Sequence, residues 1–295
     1  MSNISIKNNN GNGITLAAVV NKPQNFDESK KYPAVVVTHP GGGVKEQTAG
    51  TYAKKLADEG DFVTGASTGE PRQLENPHVR TDDISAVIDY LETQSFVDTG
   101  KIGAMGVCAG GGYTANAAIN DSRIKAVGTV SAVNIGQMFR NGWDGSVKDA
   151  DAAPYIKAGS DARTAQAKTG DIGTVPLAPL KKEDAPNEEM VEAWEYYHTP
   201  RAEHKNSPGV MTARSLAQIV PYDAYNNAEA FLTQPVLVVY GENAGSKWMS
   251  EDLVKRAAAK DKSSHVVKDA NHMDLYDKNV DEVASKLSDF FKKHL

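Results

Sequence analysis

Two hydrophobic rhythms alternate along this chain. Residues 33–38 (Pro33, Ala34, Val35, Val36, Val37, Thr38) form an unbroken apolar, β-branched run. Such runs mark strands buried on both faces of a parallel sheet. Residues 48–59 follow with helical spacing, and Tyr52, Ala53 and Leu56 share one face. Phe62, Val63 and Thr64 begin a further strand that stops at Gly65, and residues 65–80 have the composition of a loop. Thr81, Asp82 and Asp83 predict the cap of a helix reaching about residue 94, with Ile84, Val87, Ile88 and Leu91 as its apolar face. A strand over 101–105, a helix over 109–119 and a strand over 124–131 come next. Upstream, residues 4–7 and 14–20 predict two strands joined by a turn-rich stretch over 8–13, and residues 23–32 predict a polar loop.

From about residue 134 to 232 the rhythm changes. β-Branched runs become sparse, Ala, Lys, Asp and Pro dominate, and only residues 190–197 predict a short helix. The stretch is too long for a simple connection and is expected to be an inserted cap or lid. Alternation resumes with a strand over 235–240, a helix over 250–259, a strand over 264–268 and a closing helix over 279–292. The pattern therefore predicts one doubly wound, mostly parallel α/β sheet built from residues 1–133 and 233–295, carrying a helical lid over 134–232.

Composition narrows the function classes. The chain has 295 residues, 24% charged and 40% hydrophobic, with a formal net charge of −6, so nucleic acid and anionic membrane are not expected partners. A single cysteine, Cys108, excludes an intramolecular disulfide and any cysteine-based metal cage. Residues 1–13 are polar and lack the apolar core of a signal peptide, and no run is long enough to span a membrane. The cytoplasm is the expected compartment.

That cysteine carries the chemistry. It lies in Gly106-Val107-Cys108-Ala109-Gly110, between a predicted strand and a predicted helix. Small residues on both sides of a nucleophile allow the sharp turn of a nucleophile elbow, and the helix beginning beneath the sulfur favours a thiolate. An oxyanion hole needs backbone N–H groups aimed at the developing negative oxygen. Ala109 offers one, and the loop His39-Pro40-Gly41-Gly42-Gly43 after the first buried strand offers another, from Gly41 or, next, Gly42. The base is expected at His272, just past the last strand. His39 is expected to order the oxyanion loop, and His78, His198, His204, His265 and His294 lack a comparable context. The acid is the weakest element. Ala244 occupies the place after the strand over 235–240 where an aspartate is expected; Glu242 is the nearest candidate, with Glu251, Asp252 and Asp274 as others. A thiol ionises more readily than a serine hydroxyl, so His272 could act without an acid. Residues 41–45 lack the Gly-Lys-Ser/Thr of a phosphate-binding loop. In residues 106–112 Cys108 replaces the second glycine of a dinucleotide loop, and no His/Asp/Glu cluster has metal-ligand spacing. No cofactor and no metal are expected.

With these parts in place, the chain resembles the α/β-hydrolase superfamily. It is similar in particular to the dienelactone-hydrolase-like branch, whose elbow Gly-x-Cys-x-Gly-Gly stands here as Gly106-Val107-Cys108-Ala109-Gly110-Gly111. The stretch 39–47, Gly69-Glu70-Pro71-Arg72 and residues 272–277 also resemble bacterial members. Two departures stand out: Ala244 at the acid position, and a jump from Thr64 to Gly65 where relatives continue the strand into an Asp-containing loop. The resemblance implies an α/β-hydrolase fold and a cysteine-dependent hydrolase of a small-molecule acyl substrate: an ester, lactone or thioester. Trp143, Trp194, Tyr196 and Tyr197 would shape the acyl pocket, or else form lid core or a dimer contact. An acyltransferase on the same scaffold, and a binding protein that lost its acid, are the alternatives. No motif marks a dimer surface, although lids often pair, so a homodimer stays open.

Overall fold

The computed structural model describes residues 2–8, 13–60 and 73–295. The strand expected over 62–64, the Thr64–Gly65 junction and the stretch 69–72 lie outside the described residues.

The strands are β1 (Ser2–Lys7), β2 (Thr15–Val20), β3 (Tyr32–Thr38), β4 (Val97–Val107), β5 (Ile124–Val130), β6 (Thr174–Pro176), β7 (Val210–Thr212), β8 (Val236–Gly241) and β9 (Lys262–Val267). The helices are α1 (Thr48–Gly60), α2 (Pro77–Glu92), α3 (Ala109–Asn120), α4 (Ile135–Asn141), α5 (Ala153–Thr169), α6 (Glu188–His198), α7 (Leu216–Ile219), α8 (Ala228–Phe231), α9 (Lys247–Arg256) and α10 (Val280–His294). Among the described residues, five strands form one parallel sheet in the order β3-β4-β5-β8-β9. β1 and β2 form a separate antiparallel pair.

The unbroken apolar runs are explained by burial on both faces. Ala34 and Val36 of β3 point into a cluster containing Ile84 and Ile88 of α2 and Tyr113 of α3, while Val35 and Val37 point into one containing Tyr52 and Leu56 of α1 and Leu287 of α10. β8 repeats this division, with Val236 and Val238 on the first side and Leu237 and Val239 on the second. Each buried valine contributes about 1.5–3 kcal/mol from water exclusion, and two helical layers are needed to collect it from both faces.

The expected lid contributes no strand to this sheet; β6 and β7 pair with each other. Its buried residues nonetheless join the same two clusters as the sheet: Ile135, Tyr222, Ala224 and Leu232 the first, and Ala193, Tyr196 and Tyr197 of α6 the second. The Ala-rich α5, unforeseen in the sequence, is exposed along most of its length and packs through Gly159 against Ala217.

Several boundaries differ from expectation for local reasons. α2 starts at Pro77, not after Thr81, because the Asn76 side chain accepts from the amides of His78 and Val79 and proline needs no N–H in the first turn. Thr81 is instead buried in the second turn, its hydroxyl near Asn116 and Tyr222. β9 begins at Lys262, before its apolar residues, because its register on β8 rather than its hydrophobicity sets its start. α9 begins at Lys247. Every loop that follows a sheet strand at its carboxyl end converges on one edge, where sites of open α/β sheets lie.

Replacement of the cap, Asn76→Ala, is expected to cost about 1 kcal/mol, read as a lower urea midpoint with an unchanged slope; an unchanged midpoint would return the helix start to Thr81.

Candidate active site

Cys108 sits at the reversal between β4 and α3 with φ 56° and ψ −126°, a conformation rarely adopted by a side-chain-bearing residue. Its amide donates to the Val130 carbonyl at 2.9 Å, and its carbonyl accepts from the amides of Gly111 at 2.8 Å and Val133 at 2.9 Å. The flanking glycines are steric requirements. A Cβ on Gly106 would lie 2.1 Å from the Gly110 carbonyl oxygen, and one on Gly110 would lie 2.5 Å from the carbonyl oxygens of both Thr38 and His39.

Three polar groups act on the sulfur and favour its charged form: the Tyr276 hydroxyl and the backbone amides of Ala109 and Gly41. The two amides are the pair expected to hold an oxyanion. Gly42, the second choice, has φ 69° and its carbonyl accepts from Ser207 Oγ at 2.6 Å, tying the loop to the inserted segment. Burial pushes the Cys108 thiol above its ordinary value despite these partners. The thiolate expected from the helix N-terminus is thus not the resting form, because desolvation of the charged sulfur outweighs the helix amides.

The oxyanion loop is braced from behind. The Arg80 guanidinium donates to the His39 carbonyl at 3.0 Å and, through Nη1, to both Glu75 oxygens at 3.0 and 3.1 Å. Glu75 is buried and also accepts from the Tyr113 hydroxyl at 2.5 Å. His39 turns Nδ1 to the Pro40 carbonyl at 2.7 Å. Burial and the Arg80 charge push its imidazole down to about 3, so it stays neutral and orders the loop. Glu75 and Arg80 were missed from sequence because they lie in a polar run read as plain loop.

His272 lies just past β9 and is 1% exposed. Its Nδ1 meets Ser246 Oγ at 2.6 Å and its Nε2 meets the Tyr276 hydroxyl at 3.2 Å. Burial lowers it to about 3, so the ring is neutral at neutral pH. Glu242, the nearest acid candidate, does not reach it: its carboxylate is exposed and accepts from the Asp269 amide at 3.1 Å. The turn after β8, closed by the Ala244 amide on the Gly241 carbonyl, buries Ala244 and brings Ser246 to the imidazole instead. Glu251 is exposed, Asp252 accepts from Gln137 Nε2 at 3.3 Å, and Asp274 accepts from the Asn271 amide and pairs with Lys278. Among the described residues no carboxylate bonds the His272 ring. A carboxylate does hold its backbone: Glu189 of α6 accepts from the His272 amide at 2.9 Å, from the Gly245 amide at 3.1 Å and from the Trp143 indole.

Cys108, Gly41, Gly42, Ala109, His272 and Tyr276 line one pocket, which Trp143, Leu177, Met190 and Tyr197 of the inserted segment complete. Of the other expected aromatics, Tyr196 packs edge-on behind Tyr276 with ring centres 5.1 Å apart, and Trp194 donates to the Leu180 carbonyl away from the pocket. No group of three His, Cys, Asp or Glu residues suited to a metal occurs among the described residues, and none of their helices is long and apolar enough to cross a membrane.

A parallel sheet with a strained nucleophile turn, a glycine loop beside it and a histidine past the last strand defines an α/β-hydrolase fold. Known proteins agree. Residues 71–158 match the prolyl oligopeptidase family. The chain is 60% identical over 302 aligned positions to YcjY of Escherichia coli strain K12, covering 99% of this chain and 98% of that protein. The alignment is longer than the chain, so YcjY has residues without counterparts here. It is 32% identical to PA2218 of Pseudomonas aeruginosa, covering 96% of this chain and 78% of that protein. The crystal structure of PA2218 matches with a TM-score of 0.91 at 30% identity, covering 100% of this chain and 93% of that one. The α/β hydrolase GrgF from Penicillium sp. sh18 matches in fold, with a TM-score of 0.80 at 16% identity, covering 99% of this chain and 98% of that one. The chain belongs to the family of YcjY and PA2218 and has the α/β-hydrolase fold.

The buried histidine has a consequence for stability. His272 titrates near 6.5 when unfolded and near 3 when folded. Its contribution is therefore complete above about pH 6.5 and is lost as pH falls from there towards 3. Urea midpoints at pH 7 and pH 4.5 should differ more for the parent protein than for His272→Gln; equal differences would show that His272 is not buried neutral.

Proposed function

We propose that this chain is a cysteine-dependent acyl hydrolase acting on small esters, lactones or thioesters. The observation that carries this reading is Cys108 on a strained elbow, lining one pocket with Gly41, Ala109 and His272. The Gly41 and Ala109 amides are positioned for a carbonyl oxygen drawn up beside the sulfur, where they would stabilise the charge that develops on attack. Sulfur then bonds to the acyl carbon, and His272 receives the thiol proton and later returns it to the leaving group. Water, activated by the same base, releases the acid from the thioester intermediate. Activated acyl groups suit a thiol nucleophile better than amides do.

Residues 134–232 act in this reading as the lid of the site, with Trp143, Leu177, Met190 and Tyr197 shaping the acyl pocket. The lining favours an apolar acyl group. A binding protein that has lost its chemistry is the second reading, and it is favoured by one observation: His272 Nδ1 rests on Ser246, where an orienting carboxylate would be needed to stabilise an imidazolium.

Turnover of p-nitrophenyl acetate, followed while iodoacetamide labels the sole cysteine, separates the two. The hydrolase reading expects turnover to vanish in step with alkylation of Cys108, and Cys108→Ala to be inactive. Alkylation should itself accelerate as pH rises beyond the ordinary thiol range, because the half-buried thiol ionises late. Absence of turnover together with an unreactive Cys108 in the folded protein would favour the binding reading.

A further inference from the structure

Cys108 and His272 line the same pocket, yet the imidazole nitrogen on that side is occupied by a third group. Tyr276 is 2% exposed and closes the short helical turn that His272 begins, so the four-residue spacing returns its hydroxyl to His272 Nε2 at 3.2 Å. The same hydroxyl faces the pocket that Cys108 lines, close enough to the sulfur to favour its charged form. From the other end, Ser246 Oγ fixes Nδ1 at 2.6 Å. The ring of Tyr276 is itself held edge-on by Tyr196, and the Tyr196 hydroxyl accepts from the Thr48 amide at 3.0 Å. The phenol is thus packed in place between nucleophile and base.

On the basis of the acyl-hydrolase reading above, we infer that Tyr276 is a catalytic residue, a proton relay that connects the Cys108 thiol to His272 Nε2. As sulfur bonds to the acyl carbon, the S–H bond breaks and its proton passes to the Tyr276 oxygen. The proton Tyr276 carried passes at the same time to His272 Nε2. The carbonyl electron pair moves to oxygen, held by the Ala109 and Gly41 amides. When the bond to the leaving group breaks, a proton runs back from Nε2 to Tyr276 and from Tyr276 to the departing oxygen or sulfur. Water attacks the thioester with its proton passing to the base by the same route. The C–S bond then breaks, and the thiolate recovers its proton through Tyr276. No proton is gained or lost over the cycle.

Such a relay suits a site in which both end groups rest neutral. A direct thiolate–imidazolium pair would have to bury two separated charges, whereas a concerted shift through a neutral phenol forms charge only as the acyl carbon is attacked.

The test compares the parent chain, Y276F, H272Q and the double variant in the rate of Cys108 alkylation by iodoacetamide, with far-UV circular dichroism and urea midpoints to confirm folding. The relay expects each single variant to slow alkylation by about 10²-fold, and the double variant to be no slower than either single. Losses that multiply would overturn it, since His272 would then reach the thiol without Tyr276. The alkylation cycle needs no ester turnover, so failure of the hydrolase reading, seen as no p-nitrophenyl acetate hydrolysis by the parent chain, is distinguishable from failure of the relay. Substitution of 3-fluorotyrosine at position 276 keeps the hydroxyl and acidifies it. The relay expects it to move the pH profile of alkylation, and an unmoved profile would assign Tyr276 a packing role alone.

Discussion

The reversal of the chain at Cys108 governs the site. Its carbonyl is bound by two amides at once, those of Gly111 and Val133, and its own amide is bound by Val130. These bonds lock a backbone geometry that costs of order 1–3 kcal/mol. That geometry can persist only where Gly106 and Gly110 let the start of α3 press against β4 and against the end of β3. The close approach to Thr38 and His39 then sets how far the glycine loop stands from the sulfur. Strand packing, helix start and donor spacing are one linked arrangement, so the donors need no separate device to find their place.

Charge is managed by position. The thiol is half-buried and the imidazole fully buried, desolvation holds both neutral, and each would suffer from ionising alone. Buried Glu75 and half-buried Arg80 sit behind the oxyanion loop, where they pair and Arg80 holds the His39 carbonyl. Pairs of this kind are weak sources of net stability. Their value here is geometric: Arg80 draws the loop backbone back towards α2, leaving the Gly41 amide facing the pocket.

The sheet was legible because burial on both faces leaves an unbroken apolar record, as in residues 33–38 and 236–239. The elbow was legible because sterics permit so few residues at positions 106 and 110. The carboxyl-edge placement of Cys108, Gly41 and His272 followed from those two facts. What escaped was carried by contacts between residues distant in sequence. Ser246 reaches His272 only because a turn buries Ala244; Glu75 pairs with Arg80 only once α2 is capped at Asn76; Glu189 lies in a segment with no motif of its own. Tyr276 had a local signal, four residues after the histidine, but a tyrosine at helical spacing is more often packing than chemistry. The acid expected at Glu242 failed because proximity in sequence says little about the direction of a side chain leaving a strand.

Glu189 gives the inserted segment an unusual standing. One carboxylate grips the Trp143 indole, the Gly245 amide and the His272 amide, so part of the segment that closes the pocket also anchors the loop bearing the base. Insertions on such folds are commonly imagined as modules, exchangeable to change what a core accepts. Here exchange is constrained. A transplanted insertion without a carboxylate at this point would leave two buried-side amides and an indole without their common acceptor, and the histidine loop would lose its tether. Diversification within this architecture is therefore steered towards residue-by-residue change along the pocket wall, at positions such as Leu177 and Met190, rather than towards wholesale replacement of the segment.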